Sequence, residues 1–423
     1  MRRIALLVCV VAVVFLVSCG KKYSSSNPTT PTSKIAKRAF VSNQIGSVVH
    51  IVDAAKDALT ASSINGGSAP TQMVESQDKK QTVVYSSGSN SLVVIDNTAE
   101  TAKSSLALRN PTESFAISSD DRFVFAAERN TIASGATLAG VVEIFDTNNL
   151  AAGATVVSVP GARSLVLSHN NNTLLVFSDD PTPLPSNSIP SNTQVFFINP
   201  ANTAAGATPR PGFDNPVFAV FTSDDSTAYV LNCGSECGGA AASVASVSIA
   251  TQSITGTVPV SAARTALLSG TTLYVAGTST TLGGRLNTLN ASNLTLMNPT
   301  NSSDSTVAPS GVRISDGIHD RIALGSNGKL FVGARACSNV SQGCLSIYDT
   351  ASNPAMAVIH APYPGPSGAP LPGDITGIEP IPSRNVVYVC EGGELRIYDT
   401  TTNGLQQTQI EIVGKAVDVK EVF

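Results

Sequence analysis

Hydrophobic positions along the chain fall into short runs separated by turns rich in Ser, Gly, Asn and Asp. The stretch "VVYSSGSNSLVVIDNTAE" (Val83 to Glu100) shows the unit: an apolar strand, a Gly/Ser-rich gap, a second apolar strand ending in Asp, and a polar turn. It returns as "LFVGARACSNVSQGCLSIYDTAS" (Leu330 to Ser352) and "VYVCEGGELRIYDTTTNG" (Val387 to Gly404). Runs of this length bounded by turn residues predict strands, and the tight gap between two of them predicts a hairpin.

The first strand recurs at "AFVSN" (Ala39), "VVYSS" (Val83), "FVFAA" (Phe123), "LLVFS" (Leu174), "AYVLN" (Ala228), "LYVAG" (Leu273), "LFVGA" (Leu330) and "VYVCE" (Val387). Eight units at spacings of about 40 to 57 residues result. An apolar stretch with a Ser/Asp/Gly turn precedes the hairpin, as in "SFAISSDDRF" and "RIALGSNGKL", and a weaker segment such as "SSLALRN" follows it. Four antiparallel strands at this period are expected to form the blade of a β-propeller. The first unit lacks the preceding segment, whereas the chain ends in a spare one, "GKAVDVKEVF" (Gly414 to Phe423). The fold expected is therefore all-β, an eight-bladed propeller of four-stranded blades whose C-terminal strand closes the ring and hides the open sheet edge. Seven blades are the alternative, should one degenerate unit not form a blade.

Composition fits this picture. Charged residues make up 13% of the chain, well below the roughly 25% of ordinary soluble domains, and Trp is absent. The N-terminus is different in kind: Arg2 and Arg3 precede "IALLVCVVAVVFLV" (Ile4 to Val17), 14 apolar residues. A positive start and an apolar run too short for a bilayer read as a secretory signal. The run ends in "LVSCG" (Leu16 to Gly20), which resembles the lipobox of bacterial lipoproteins. That resemblance implies cleavage before Cys19, acylation of its thiol and new amine, and membrane attachment through the lipid, since several acyl chains anchor where one is marginal. Gly20 and Lys21 stand where the family's inner-membrane retention Asp would be, which implies the outer membrane, periplasmic or surface face. The expected organisation is a signal peptide over 1–18, a lipidated flexible tether over 19–38, rich in Ser, Thr, Pro and Lys, and the propeller over 39–423. Loss of Arg2 and Arg3 leaves 24 basic against 30 acidic side chains, a balance that predicts no nucleic-acid partner.

Cysteine spacing agrees with an oxidising compartment. Cys233 with Cys237, and Cys337 with Cys344, lie in hairpin gaps whose ends come together, so two local disulfides are expected. A zinc site is the rival, but the pairs fall in different repeats without the two-residue knuckle spacing. Cys390 is left as a buried thiol in a strand.

The pattern carried best by "VVYSSGSNSLVVIDNTAET" and "VYVCEGGELRIYDTTTNG" resembles the YVTN-type (YncE-like) β-propeller family, from about Arg38 to Phe423. The resemblance implies the fold and an envelope location but no single activity. Family members include surface and adhesion-like binding proteins, and lactonases and quinoproteins use related propellers. The missing Trp removes the docking signature of the eight-bladed quinoprotein dehydrogenases.

Candidate chemistry is sparse. Asp53, Asp96, Asp146, Asp349 and Asp399, with Asn199 and Asn290, share one repeat position and are expected to cap the following turns. The four His are scattered, with no HxH or HExxH pair and no phosphate loop, so no cofactor, metal or catalytic residue is predicted. Two Pro-rich inserts, 178–194 and 360–374, are candidate recognition loops. Aligning inner strands on Ser118, Ser168, Ser269 and Gly325 puts Glu113, Arg163, Arg264 and Asp320 at one position. They are expected around one channel mouth, either as salt bridges between blades or as a pocket for a small anion or a partner's carboxylate. The function expected is a monomeric, lipid-anchored binding or scaffold module for an envelope protein or small ligand. The alternative is a lactonase-like hydrolase or oxidoreductase with its site at the channel.

Overall fold

A computed structural model describes residues 33–129, 140–184, 186–298, 310–339, 343–352, 357–361 and 373–422. Eight antiparallel sheets follow one another around a ring. Their inner strands, for blades 1 to 8, are Ala416–Val422, Pro70–Glu75, Thr112–Ile117, Ala162–Leu167, Pro216–Phe221, Thr265–Ser269, Ile318–Leu324 and Ile375–Pro380. Each blade runs outward through two largely buried strands to a more exposed fourth, and in Ser253–Pro259 exposed and half-buried side chains alternate. Blade 6 departs slightly, its outermost pairing being shared by Thr295–Leu296 and Val312–Arg313.

Closure is as the end phasing predicts. Ala416–Val422 pairs antiparallel with Arg38–Asn43, so blade 1 takes its inner strand from the C-terminus and its other three from the N-terminal side of the ring. Apolar cores between blades seal both flanks of this joint. Val41, Val52 and Val419 pack with Tyr388 and Ile397 of blade 8, and Phe40, Ile51 and Val422 pack with Met73 and Val84 of blade 2.

The inner strands have one bonded edge and one facing the channel, so their free N–H and C=O groups need partners. Side chains of the preceding blade supply them. Asp418 Oδ2 accepts from Met73 N at 2.8 Å, Ser114 Oγ accepts from Leu165 N at 3.1 Å, Ser164 Oγ donates to Val217 O at 2.7 Å, and Arg321 Nε donates to Thr376 O at 2.7 Å. Gly377 of blade 8 lets the closing strand of blade 1 come close on its other side, since a Cβ there would lie 2.8 Å from Asp418 Oδ1. The repeated Asp and Asn positions are turn caps: Asp96 Oδ1 accepts from Thr98 and Ala99 N, and Asn199 Oδ1 from Ala201 N.

Two faces follow. Turns ending the inner strands make one, here the turn face. The opposite, loop face carries the strand-two-to-three hairpins, with the two cysteine pairs.

Candidate functional site

Glu113, Arg163 and Asp320 each occupy a β-bulge near the start of an inner strand, where the pairing register slips, and Arg264 holds the equivalent place in blade 6. The bulge aims them at the loop-face mouth. Arg163 Nε donates to Glu113 Oε2 at 3.0 Å, and Asp179 joins Arg163 to Arg129. Asp320 takes Arg335 Nη2 at 2.7 Å. Arg264 stands 3.6 Å from Glu236, with Nη1 3.2 Å from Cys237 Sγ. Burial lowers the Arg264 pKa and raises that of Glu236, each opposed by the other's charge. Four guanidiniums thus meet four carboxylates at this mouth. Beside the predicted two cations and two anions, Arg129 and Arg335 add two positive charges and Asp179 and Glu236 two negative ones, so the mouth stays balanced.

Disulfides join Cys233 to Cys237 and Cys337 to Cys344, with Cα separations of 5.6 and 5.8 Å. Cys390 is a buried free thiol whose pKa burial pushes up. Cys19 lies outside the described residues, as does most of the 360–374 insert. The 178–194 insert folds onto itself through a Pro183–Pro190 bridge and Gln194 Nε2 to Ile189 O at 3.0 Å. The histidines stay apart: His319 is buried against Ser315 O, and His169 pairs with Asp225 on the turn face.

A second constellation escaped the sequence reading. Two residues before the turn, the inner strands of blades 3 to 7 carry Ala116, Val166, Val220, Leu267 and Ala323, all half-buried. Blades 8 and 1 carry Glu379 and Lys420 there, and the next position holds Glu421 in blade 1 and Glu75 in blade 2. One side of the channel is therefore apolar and the other charged. Lys420 Nζ lies 3.6 Å from Asp418 and 3.9 Å from Glu379. Lys79, from the blade 2 turn, pairs with Glu421 and also donates to its backbone O at 3.0 Å.

Glu75 stands out within this group. Its Oε1 is withdrawn from solvent and has no hydrogen-bond partner. Burial, reinforced by the charges of Glu379 and Glu421, raises its pKa to about 8, against the pull of Lys79 and Lys420. Burial likewise lifts Glu379 to about 7, with Lys420 and Lys79 opposing. The signal was present in "TQMVESQD", "TGIEPIPS" and "KAVDVKEVF", which place charges where the other blades have "FAI", "LVL" or "AVF". Among the described residues, no three His, Cys, Asp or Glu side chains converge as a metal site requires.

Fold and channel together define the class: an eight-bladed, C-terminally closed β-propeller with a polar cluster in its central channel. No family model matches the chain, and no curated protein does. Solved structures do. The dihydro-heme d1 dehydrogenase NirN, in complex with DHE, superposes with a TM-score of 0.61 at 11% identity, covering 92% of this chain and 78% of that one. Apo AztD from Citrobacter koseri gives 0.56 at 12% identity, covering 91% and 98%. A functionally unknown protein from Desulfotomaculum acetoxidans gives 0.50 at 12%, covering 92% and 99%. At such identities the likeness establishes the propeller fold alone.

Proposed function

We propose that this chain is a lipid-anchored, extracytoplasmic propeller that binds a small ligand in its central channel, against the charged wall of blades 8, 1 and 2. The carrying observation is the unspent bonding capacity there. Glu75 Oε1 is withdrawn from solvent without a partner, and Lys420 Nζ stands on the same wall 3.6 Å from Asp418 and 3.9 Å from Glu379, opposite the apolar positions of blades 3 to 7. Buried polar groups in folded proteins otherwise find partners.

Extracytoplasmic placement is supported by the two disulfides, and the anchor by the lipobox-like "LVSCG". Ser33 N and Oγ both donate to the buried Glu100, which also holds Arg38 at 2.8 Å. The chain thus joins the ring on the turn face. The 14 chain steps from Cys19 to Ser33 span at most about 50 Å, which bounds how far the turn-face entry point can stand from an anchoring membrane. A second reading, acid–base catalysis, draws on Glu75 and Glu379, whose pKa values of about 8 and about 7 suit proton transfer near neutrality.

The test is native mass spectrometry of the purified mature protein after exposure to a small-molecule extract of its source cells. Retained mass should disappear in the Glu75→Ala/Glu379→Ala double variant and persist in the Arg163→Gln/Arg264→Gln double variant. The reverse pattern would move the site to the loop-face mouth. Conversion of the retained compound over time would establish the enzyme.

A further inference from the structure

The charges of the channel wall do not balance group by group. Asp418 is spent on the backbone, accepting from Met73 N at 2.8 Å and Val419 N at 2.9 Å. Glu421 takes Lys79. Arg321, the other cation nearby, donates to Thr376 O at 2.7 Å and Asp320 O at 2.9 Å. Lys420 lies between Asp418 and Glu379. Of the four carboxyl groups in the cluster, Glu75 alone has no ion pair among the described residues. When Glu75 ionises, none of their cations stands within ion-pair distance to take up its charge.

We infer that the channel takes an organic cation with a non-polar body, such as a primary ammonium or guanidinium on a short hydrocarbon stem. Its charged head docks between Glu75 and Glu379, and its body lies toward Ala116, Val166 and Val220. The inference rests on the channel-binding reading above and adds the ligand's class. An anion would meet Glu75 and Glu379 and be repelled once either ionises. A bare metal ion would leave the apolar side uncovered, and among the described residues no three His, Cys, Asp or Glu side chains converge to hold one. A cation with an apolar tail answers both walls at once, ion-pairing on one side and burying hydrocarbon at about 25 cal/mol per Å² on the other.

Binding of such a cation is linked to protons. Glu75 faces Glu379, Glu421, Lys79 and Lys420, and Glu379 faces Lys420, Lys79 and Asp418. In the empty channel, burial keeps both largely protonated up to about pH 7 to 8. A cation stabilises the ionised form, so its arrival expels a proton. Affinity must then rise with pH, about tenfold per unit below the empty-site pKa, and level off above it. For Glu75 alone this amounts to as much as about 100-fold between pH 6 and pH 9.

The experiment is a ligand-observed NMR titration of the whole mature protein with 3-phenylpropylammonium and, as its matched anion, 3-phenylpropanoate. The ammonium stays charged at pH 9, its pKa being near the value of about 10.4 typical of Lys. The ammonium should bind, tightening by about 10- to 100-fold from pH 6 to pH 9. Glu75→Gln should weaken binding of the ammonium and cut the rise to at most the roughly tenfold that Glu379 alone can supply. Tighter binding of the phenylpropanoate, or ammonium affinity flat with pH, overturns the cation assignment and leaves channel binding standing. Binding of neither probe overturns it as well, and ligand retention in the native mass spectrum then decides the channel reading on its own.

Discussion

Glu128 offers the sharpest test of how this ring is held together. It is fully buried at the loop-face end of blade 3 beside the equally buried Glu143. Arg109 Nε pairs with Glu143 at 2.7 Å, and Asn110 N donates to Glu128 Oε2. Glu128 Oε1 has no donor to accept from. Two buried carboxylates this close cannot both stay charged, so Glu128 keeps its proton and donates it in a hydrogen bond to Glu143. Burial first, then the hydrogen bond to Glu143 and its charge, raise the Glu128 pKa from 4.5 to about 8. Between those values the folded protein binds more protons than the unfolded chain, so stability falls as pH rises. The slope is about 1.4 kcal/mol per unit, or about 4–5 kcal/mol across the window. That is a large share of the roughly 5–15 kcal/mol by which domains are stable. Glu128→Gln replaces the acid proton with an amide N–H, which can donate to Glu143 at every pH. Variant and wild type should match near pH 4.5, and the variant should be more stable by about 3–5 kcal/mol at pH 9. Urea denaturation followed by far-UV circular dichroism at the two pH values measures this. Glu75 and Glu379 titrate in the same range but cancel in the difference. Parallel pH profiles for the two proteins, or a variant that is less stable at pH 9, would refute the shared-proton account.

Two further outcomes follow from the chain ends. Cys19→Ser should leave an uncut precursor without lipid, and normal processing with unchanged membrane extraction would reject the lipobox assignment. Deleting Gly414–Phe423 should expose the Arg38–Asn43 edge and remove the fully buried Val419 and Val422. The loss is about 3–6 kcal/mol from those two side chains alone, with aggregation through the open edge. A soluble deletion variant with an unchanged melting temperature would show that closure contributes little.

Blade number, strand order and the closing strand were legible in the sequence because most pairing in this fold is local. Each strand bonds to its neighbour in the chain, so alternation and turn residues suffice to count "AFVSN", "VVYSS" and their six successors. The mouth position of Glu113, Arg163, Arg264 and Asp320 was legible for the same reason, since equivalent strands keep one register from the turn backward. Their partners were not. Arg129, Asp179, Glu236 and Arg335 come from hairpins whose reach depends on how neighbouring blades twist together. The channel cluster was harder still. Lys79 and Glu421 meet across 342 residues, and Lys420 comes between Glu379 and Glu75 only once the last strand enters the first blade. Ring closure also decides which carboxyls are cut off from water. The raised pKa values of Glu75, Glu379 and Glu128 come from burial between blades, which no single blade provides by itself.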